Sequence, residues 1–164
     1  MTKCGLLIRG GLTVGELYHD ENIVYGPAMI RAYEMENKMA IYPRIIVDMK
    51  AFAQYCSNYI DDSVKTSKIL SLIECDQDGM LFIDMLRQST GFYLEGYYHW
   101  LVDIRSIVVE GLKNDDLSVL MKYRWFKNYF NAVVLDGGLS YPECDDKSLK
   151  EIESVRNRFR ELKI

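Results

Sequence analysis

Hydrophobic and polar positions alternate at the start of the chain, then fall into helical spacing. Leu6 to Tyr18 reads as an extended strand or bent hairpin, with Leu6-Ile8 and Leu12-Val14 on either side of Gly10 and Gly11. Glycine inside such a run marks a bulge or the close approach of another backbone or a ligand. Ile23-Tyr25 is a short strand. Gly26-Pro27 then opens a helix, because proline is pre-organised for the first helical position. That helix covers Ala28 to Met39, with Met29, Ala32, Tyr33 and Glu36 sharing a face. Arg44–Val47 is a compact apolar strand, and Asp48 can cap a helix from Met49 to about Ile60. Phe52, Tyr55, Cys56 and Tyr59 give that helix an apolar stripe, and Asp61-Asp62-Ser63 breaks it. Lys68–Cys75 and Met80–Leu86 read as two strands around Asp76-Gln77-Asp78-Gly79, where Asp-Gly supplies the positive φ of a tight turn.

The remainder is helical. Leu94, Tyr97, Tyr98, Leu101, Ile104, Val108 and Leu112 follow helical spacing up to Lys113-Asn114. Asp115 or Asp116 caps a second helix, with Leu117, Leu120, Met121 and Phe126 as its expected inner face and Gly137-Gly138 as its stop. A linker from Ser140 to Asp146 leads to a charged amphipathic helix, Lys147 to Leu162, with Leu149, Ile152, Val155 and Phe159 on one stripe. The class is therefore α/β (α+β). Residues 1–90 form an α/β half-domain with an added hairpin, and 91–164 a helical extension packed on it.

Composition narrows the function classes. The chain has 164 residues, 49% of them apolar and 12% aromatic, enough for one ordinary packed domain or one domain plus a helical appendage. A net charge of −4 and a pI near 5.2, without a Lys/Arg-rich run, argue against nucleic acid as a partner. Cys4, Cys56, Cys75 and Cys144 are scattered without metal-ligand spacing and read as free thiols. The N-terminal apolar run is short and broken by Arg9, and no apolar segment approaches the ~20 residues of a membrane span. The chain reads as cytoplasmic, without a membrane partner and without a metal site.

Several clusters have a plain reading beside a functional one. Asp76 and Asp78 before Gly79 resemble part of a calcium loop, but the remaining ligands and the bidentate Glu are missing, so a hairpin turn is expected. His19 beside Asp20 and Glu21 reads as a solvated loop. His99, among Tyr97, Tyr98 and Trp100, lacks a nucleophile at any useful spacing. The aromatic cluster from Tyr123 to Phe130 sits at helical spacing and reads as core or interface.

The stretch from Arg9 to Glu36 resembles the second half of a class III nucleotide cyclase catalytic domain. In that family a strand R-x-G-I-x-x-G leads through a short strand to G-[DP]-x-x-x-x-A-x-x-x-E, which opens a helix. The matching residues are Arg9, Gly11, Leu12, Gly15, Gly26, Ala32 and Glu36. Tyr42-Pro43-Arg44-Ile45-Ile46-Val47 falls where the family has its next strand. The chain looks most like bacterial cyclase-like proteins with an R-G-G-I-x-x-G strand, a G-P-A helix start and a Y-P-R-I strand. The likeness covers about the first third of the chain. It implies a partial ferredoxin-like palm with antiparallel strands. Arg9, Gly11, Gly15, Gly26 and Arg44 become ligand- or phosphate-binding candidates, and Glu21 falls near the base-specifying position. For Arg9 and Arg44 the plainer reading, strand-end arginines paired with carboxylates, outweighs the phosphate-binding one.

The departures from the family shape the functional expectation. Its two metal ions are held by aspartates on strands that precede this region, and the chain begins after them. Its Asn and Arg on the helix after Gly26 correspond to Ile30 and Glu34, neither of which can donate to a phosphate. The nearest ionic donor, Arg31, is one helical step away. The resemblance thus implies no catalytic residue, and nucleotide with Mg²⁺ only alongside a completing partner. In the cyclase-like palm the missing strands lie beside the first strand of this chain, so its edge is expected to be completed by a protein partner or a second copy. Three readings follow. One is a catalytically degenerate cyclase-like module that binds a nucleotide or a partner. Another is a non-enzymatic interaction protein, such as a mobile element could encode. The third is half of a cyclase completed by another chain.

Overall fold

The computed structural model describes residues 5–58, 62–87, 94–136 and 146–164. The chain divides into two compact units. Leu7–Met85 is one; Leu86–Ile164, with the residues up to Leu6, is the other. The first is mixed α/β and the second helical.

In the α/β unit, β1 (Gly10–Leu12) is followed by a hairpin of β2 (Tyr18–Asp20) and β3 (Ile23–Tyr25), then α1 (Pro27–Lys38) and β4 (Ile45–Val47). α2 (Met49–Asn58), α3 (Ser63–Leu70), β5 (Ile73–Cys75) and β6 (Leu81–Ile83) follow. The main sheet has the order β1-β4-β6-β5. β4, β6 and β5 are antiparallel neighbours, with Ile46 opposite Phe82 and Glu74 opposite Phe82. β1 joins in parallel, placing Gly11 opposite Ile46, so the sheet is mixed.

Two glycines fix how α1 enters and lands. Gly26 caps α1 at φ +147°, and a Cβ there would meet the Glu16 carbonyl oxygen at 2.7 Å. Pro27 follows at the first helical position, as its fixed φ favours. Gly11 lies under the helix. A Cβ on it would sit 2.7 Å from Met35 Cβ and 2.8 Å from the Ala32 carbonyl oxygen. This contact brings Met35 onto Ile46 and Ala40 in a buried cluster, with Met39 and Met80 packed around it.

The structure corrects three details of the pattern. Residues 63–70 are helical, so the strand expected from Lys68 begins only at Ile73. The cause is Asp62, whose Oδ1 accepts the Lys65 N–H at 3.0 Å and turns the expected break into a helix cap. On α1, Met29 and Tyr33 are exposed, at 49% and 67%, and the inward face holds Met35. Close approach at Gly11 leaves room there only for Ala32 and the flexible Met35. In α5 (Leu117–Leu135), Leu117 and Met121 are exposed, and burial starts at Phe126. The hairpin after β5 follows expectation, with Gly79 at φ +80° and its N–H on the Asp76 carbonyl at 2.9 Å.

The helical unit comprises α4 (Leu94–Gly111), α5 and α6 (Asp146–Arg160). Tyr97, Leu101, Ile104 and Val108 are buried on α4, as their spacing predicts. They share the unit's interior with Phe130, Val133, Val134 and Phe159. Asp116 is the α5 cap, accepting from Ser118 and Val119 N–H at 2.7 and 3.1 Å. Arg158 of α6 forms a two-pronged ion pair with Glu95 at 2.7 and 2.8 Å and lies over the Tyr98 ring. Tyr59, Gly137-Gly138 and most of the expected linker lie outside the described residues. Among the described residues no helix is long and apolar enough to cross a membrane.

Gly11→Ala is expected to destabilise the α/β unit by about 1–3 kcal/mol, because the added methyl must displace helix backbone. Gly10→Ala should be near neutral, since its Cβ would meet only Ile45 side-chain atoms at 3.8 Å or beyond. Urea unfolding of the two variants side by side checks the difference; equal midpoints would refute the close-approach account.

Candidate functional site

Because β1 and β4 are parallel, both strands end at the same edge of the sheet. In such sheets the carboxyl ends of the strands are where clefts form. Thr13-Val14-Gly15 leaves β1 there, and Asp48 leaves β4. α1 and α2 both begin at this edge, and a cleft of about 260 Å³ opens between them, lined also by Arg31, Lys50 and Gln54.

Asp48 organises the cleft. It is 7% exposed. Its Oδ2 accepts from Thr13 Oγ1 and from Arg31 Nε, each at 3.0 Å. Its Oδ1 accepts the Lys50 N–H at 3.2 Å, capping α2 as the sequence predicts. Its own N–H donates to the Leu12 carbonyl at 2.8 Å, tying it to the end of β1. The Arg31 guanidinium, above all, holds the Asp48 carboxyl below the usual carboxylate range; burial opposes this, and the Lys50 N–H and the Thr13 hydroxyl reinforce it. The same hydrogen bond raises Arg31 further above its already high value.

That arrangement uses only one nitrogen of Arg31. Among the described residues, the two Nη groups of Arg31, the Lys50 ammonium and the Gln54 amide make no hydrogen bond or ion pair. The cleft therefore carries an oriented guanidinium fork, an ammonium and an amide around one opening. Two helix N-termini add partial positive charge. The Ala28 N–H at the start of α1 is already taken by the Glu16 carbonyl at 3.2 Å, so the donors on offer are side chains.

The residues singled out from sequence are distributed differently. Gly15 lines the cleft, where an added Cβ would lie 3.4 Å from Ala28 Cβ. Gly11 and Gly26 are packing and capping glycines. Arg9 pairs through Nε with Glu36 at 2.8 Å and donates to the Ala40 carbonyl at 3.4 Å. Arg44 is 1% exposed and ion-pairs with Asp76 and Asp78 of the hairpin turn, with its guanidinium over the Tyr42 and Phe82 rings. The oxygens that resembled a calcium loop thus hold an arginine. Glu21 sits in the exposed turn between β2 and β3, its N–H on Asp20 Oδ1 at 2.7 Å. His19 is exposed on β2, and His99 is exposed beside Glu95 at 3.4 Å. Ile30 is 64% exposed, and Glu34 pairs with Lys38 at 3.1 Å.

Thr13, Lys50 and Gln54 escaped sequence reasoning. The available signal was a capping aspartate directly after an apolar strand, with a cation two residues on. Comparison with protein-family models, curated proteins and solved structures finds no match to this chain.

The lowered Asp48 carboxyl makes a pH prediction. Its contribution to stability is fully present above its ordinary value of 3.8 and is lost as pH falls through the lower folded-state value. Denaturant unfolding from neutral pH to pH ~3 should show a steeper acid loss for the parent chain than for Asp48→Asn, which starts less stable and stays flatter. Parallel pH profiles would remove Asp48 from this role.

Proposed function

We propose that the α/β unit is a non-catalytic, cyclase-like binding module that takes the phosphorylated end of a small ligand, a nucleotide in the first instance, in the cleft at the ends of β1 and β4. The observation that carries this reading is a set of donors on one opening that have no partner among the described residues: the Arg31 fork, Lys50 and Gln54, with Asp48 fixing the guanidinium. Arginine in this state is suited to phosphate, because two parallel N–H donors match two oxygens.

Size limits what the cleft encloses. At about 260 Å³ it lies below the ~300–1,000 Å³ of sites that bury a whole drug-sized ligand. A phosphate group fits inside, and a base and sugar would lie over the rim. No chemical step is assigned. Ile30 and Glu34 offer no donor where the cyclase-like pattern needs two, and the residues in the cleft supply one carboxylate, already committed to Arg31, Thr13 and the α2 cap. That set does not suit a pair of metal ions.

A second reading, an interaction protein, draws on a different surface. Met29, Ile30 and Tyr33 form an exposed apolar face of α1, and Tyr18, Ile23 and Tyr25 are exposed on the neighbouring hairpin. Apolar exposure of this extent marks interaction sites. The third reading, half of a cyclase completed by another chain, would use the same unit with its missing strands supplied from outside.

Isothermal titration with ATP, GTP and inorganic phosphate tests the first reading. Binding is expected, weakened at least about tenfold by Arg31→Met, which is ~1.4 kcal/mol, and less by Lys50→Met. Circular dichroism verifies that both variants fold. Absence of heat with every probe, or equal affinity in the folded Arg31→Met protein, would sink it.

A further inference from the structure

The outer edge of β1 has a property that the cleft does not use. Gly10 N–H donates to the Arg44 carbonyl at 3.2 Å, and the Leu12 carbonyl accepts the Asp48 N–H at 2.8 Å. Both residues therefore aim their backbone groups at β4. In a parallel ladder the residue between them aims its N–H and C=O the opposite way. Gly11 thus presents a donor and an acceptor at the edge, and β1 is the end strand of the described sheet. The side chains alternate as well. Gly11 faces α1, so Gly10 and Leu12 of β1 face the other side of the sheet, and Ile8 and Val14 are the next even-numbered positions beyond the strand's two ends. Three of these, Ile8, Leu12 and Val14, are large apolar residues exposed at 49%, 47% and 68%.

Gly10 is the remaining even position, and among the described residues nothing requires a glycine there. Its φ is not positive, and an added Cβ would meet only Ile45 side-chain atoms at 3.8–4.0 Å. A glycine in a strand with room for a side chain points to an outside group lying against it.

We propose that this edge pairs with the same edge of a second copy, antiparallel, about a two-fold axis through Gly11. The sequence is self-complementary in that register. Gly11 meets its symmetry mate as a hydrogen-bonded pair, exchanging both backbone bonds. Leu12 of each copy lies opposite Gly10 of the other, a large side chain over an empty position. Ile8 lies opposite Val14, an apolar cross-strand pair made twice. Arg9 lies opposite Thr13, so no like charges meet, and Arg9 already has Glu36 as its counterion. The pairing joins the main sheets of two copies into one continuous sheet and closes the β1 edge of each copy, as a two-fold interface must. It rests on different observations from the ligand reading, although Thr13 and Val14 also line the cleft, so its test reads the state of assembly and not ligand affinity.

Analytical ultracentrifugation and light scattering of the full chain at micromolar concentration test it. A reversible dimer is expected. Gly10→Leu should abolish the dimer while leaving the circular dichroism spectrum unchanged, because its Cβ meets only Ile45 side-chain atoms at 3.8 Å or beyond in the single chain, whereas the side chain collides with Leu12 of the other copy. The Ile8→Lys/Val14→Lys double variant should also be monomeric. Ile8→Lys/Val14→Glu should dimerise again, because only the two-fold register sets the introduced lysine of one copy against the introduced glutamate of the other. A monomer at every concentration overturns the proposal, as does an open-ended assembly, a dimer indifferent to all these changes, or a failure of the charge-reversed pair to recover while it folds normally. Should Gly10→Leu misfold, the two charge variants alone decide.

Discussion

The α/β unit depends on the approach of α1 to β1 at Gly11. With no Cβ at that position, helix backbone comes within contact of strand backbone, 2.8 Å from where a methyl would stand. Everything downstream inherits this distance. It lays Met35 on Ile46 and so sets β4 against the helix. It brings Arg31, one turn earlier on α1, level with Asp48 at the end of β4. The cleft is therefore a consequence of packing density, and the glycine acts on chemistry it never touches.

Asp48 converts that geometry into a site. One carboxylate caps α2, receives Thr13 from the end of β1 and fixes Arg31 from α1, so three elements are referenced to a single group. The ion pair's energy is modest, because Arg31 is 43% exposed and solvent screens it. What it supplies is orientation. A guanidinium anchored at Nε keeps its rotamer and leaves its paired amines facing outward, which lowers the ordering cost of gripping an anion.

Local signals were legible in the sequence wherever a residue can do only one thing. Gly26-Pro27 has a single economical use, the start of a helix, and the structure places both there. Asp78-Gly79 likewise turns the β5–β6 hairpin, and the Tyr97-Leu101-Ile104-Val108 spacing buries as read. Where a residue has two uses, the sequence leaves the choice open. Asp62, read as a helix break, is a helix cap. Met29 and Tyr33 share a face that turns outward, because the inward face of α1 must be small to reach Gly11, and small residues carry little hydrophobic signal. Thr13, Lys50 and Gln54 were invisible because their meeting depends on two strands being parallel, which single-chain periodicity does not encode.

The three arginines show the physical rule behind the candidate site. All lie near the glycine-rich stretch or the strand after it, and charge alone does not separate them. Burial does. Arg44 is out of water, and a guanidinium there must bring its counterions with it; Asp76 and Asp78 of the adjoining turn meet that demand. Arg9 directly precedes β1, within reach of Glu36, and its guanidinium is divided between that carboxylate and the Ala40 carbonyl. Arg31 is anchored by one nitrogen and wet at the other two. A ligand could reach Arg44 only by displacing a carboxylate from the interior, whereas at Arg31 it displaces water. Of the three arginines, Arg31 is thus the one whose outward nitrogens an anion could reach at the cost of water alone, with the Lys50 ammonium on the same opening.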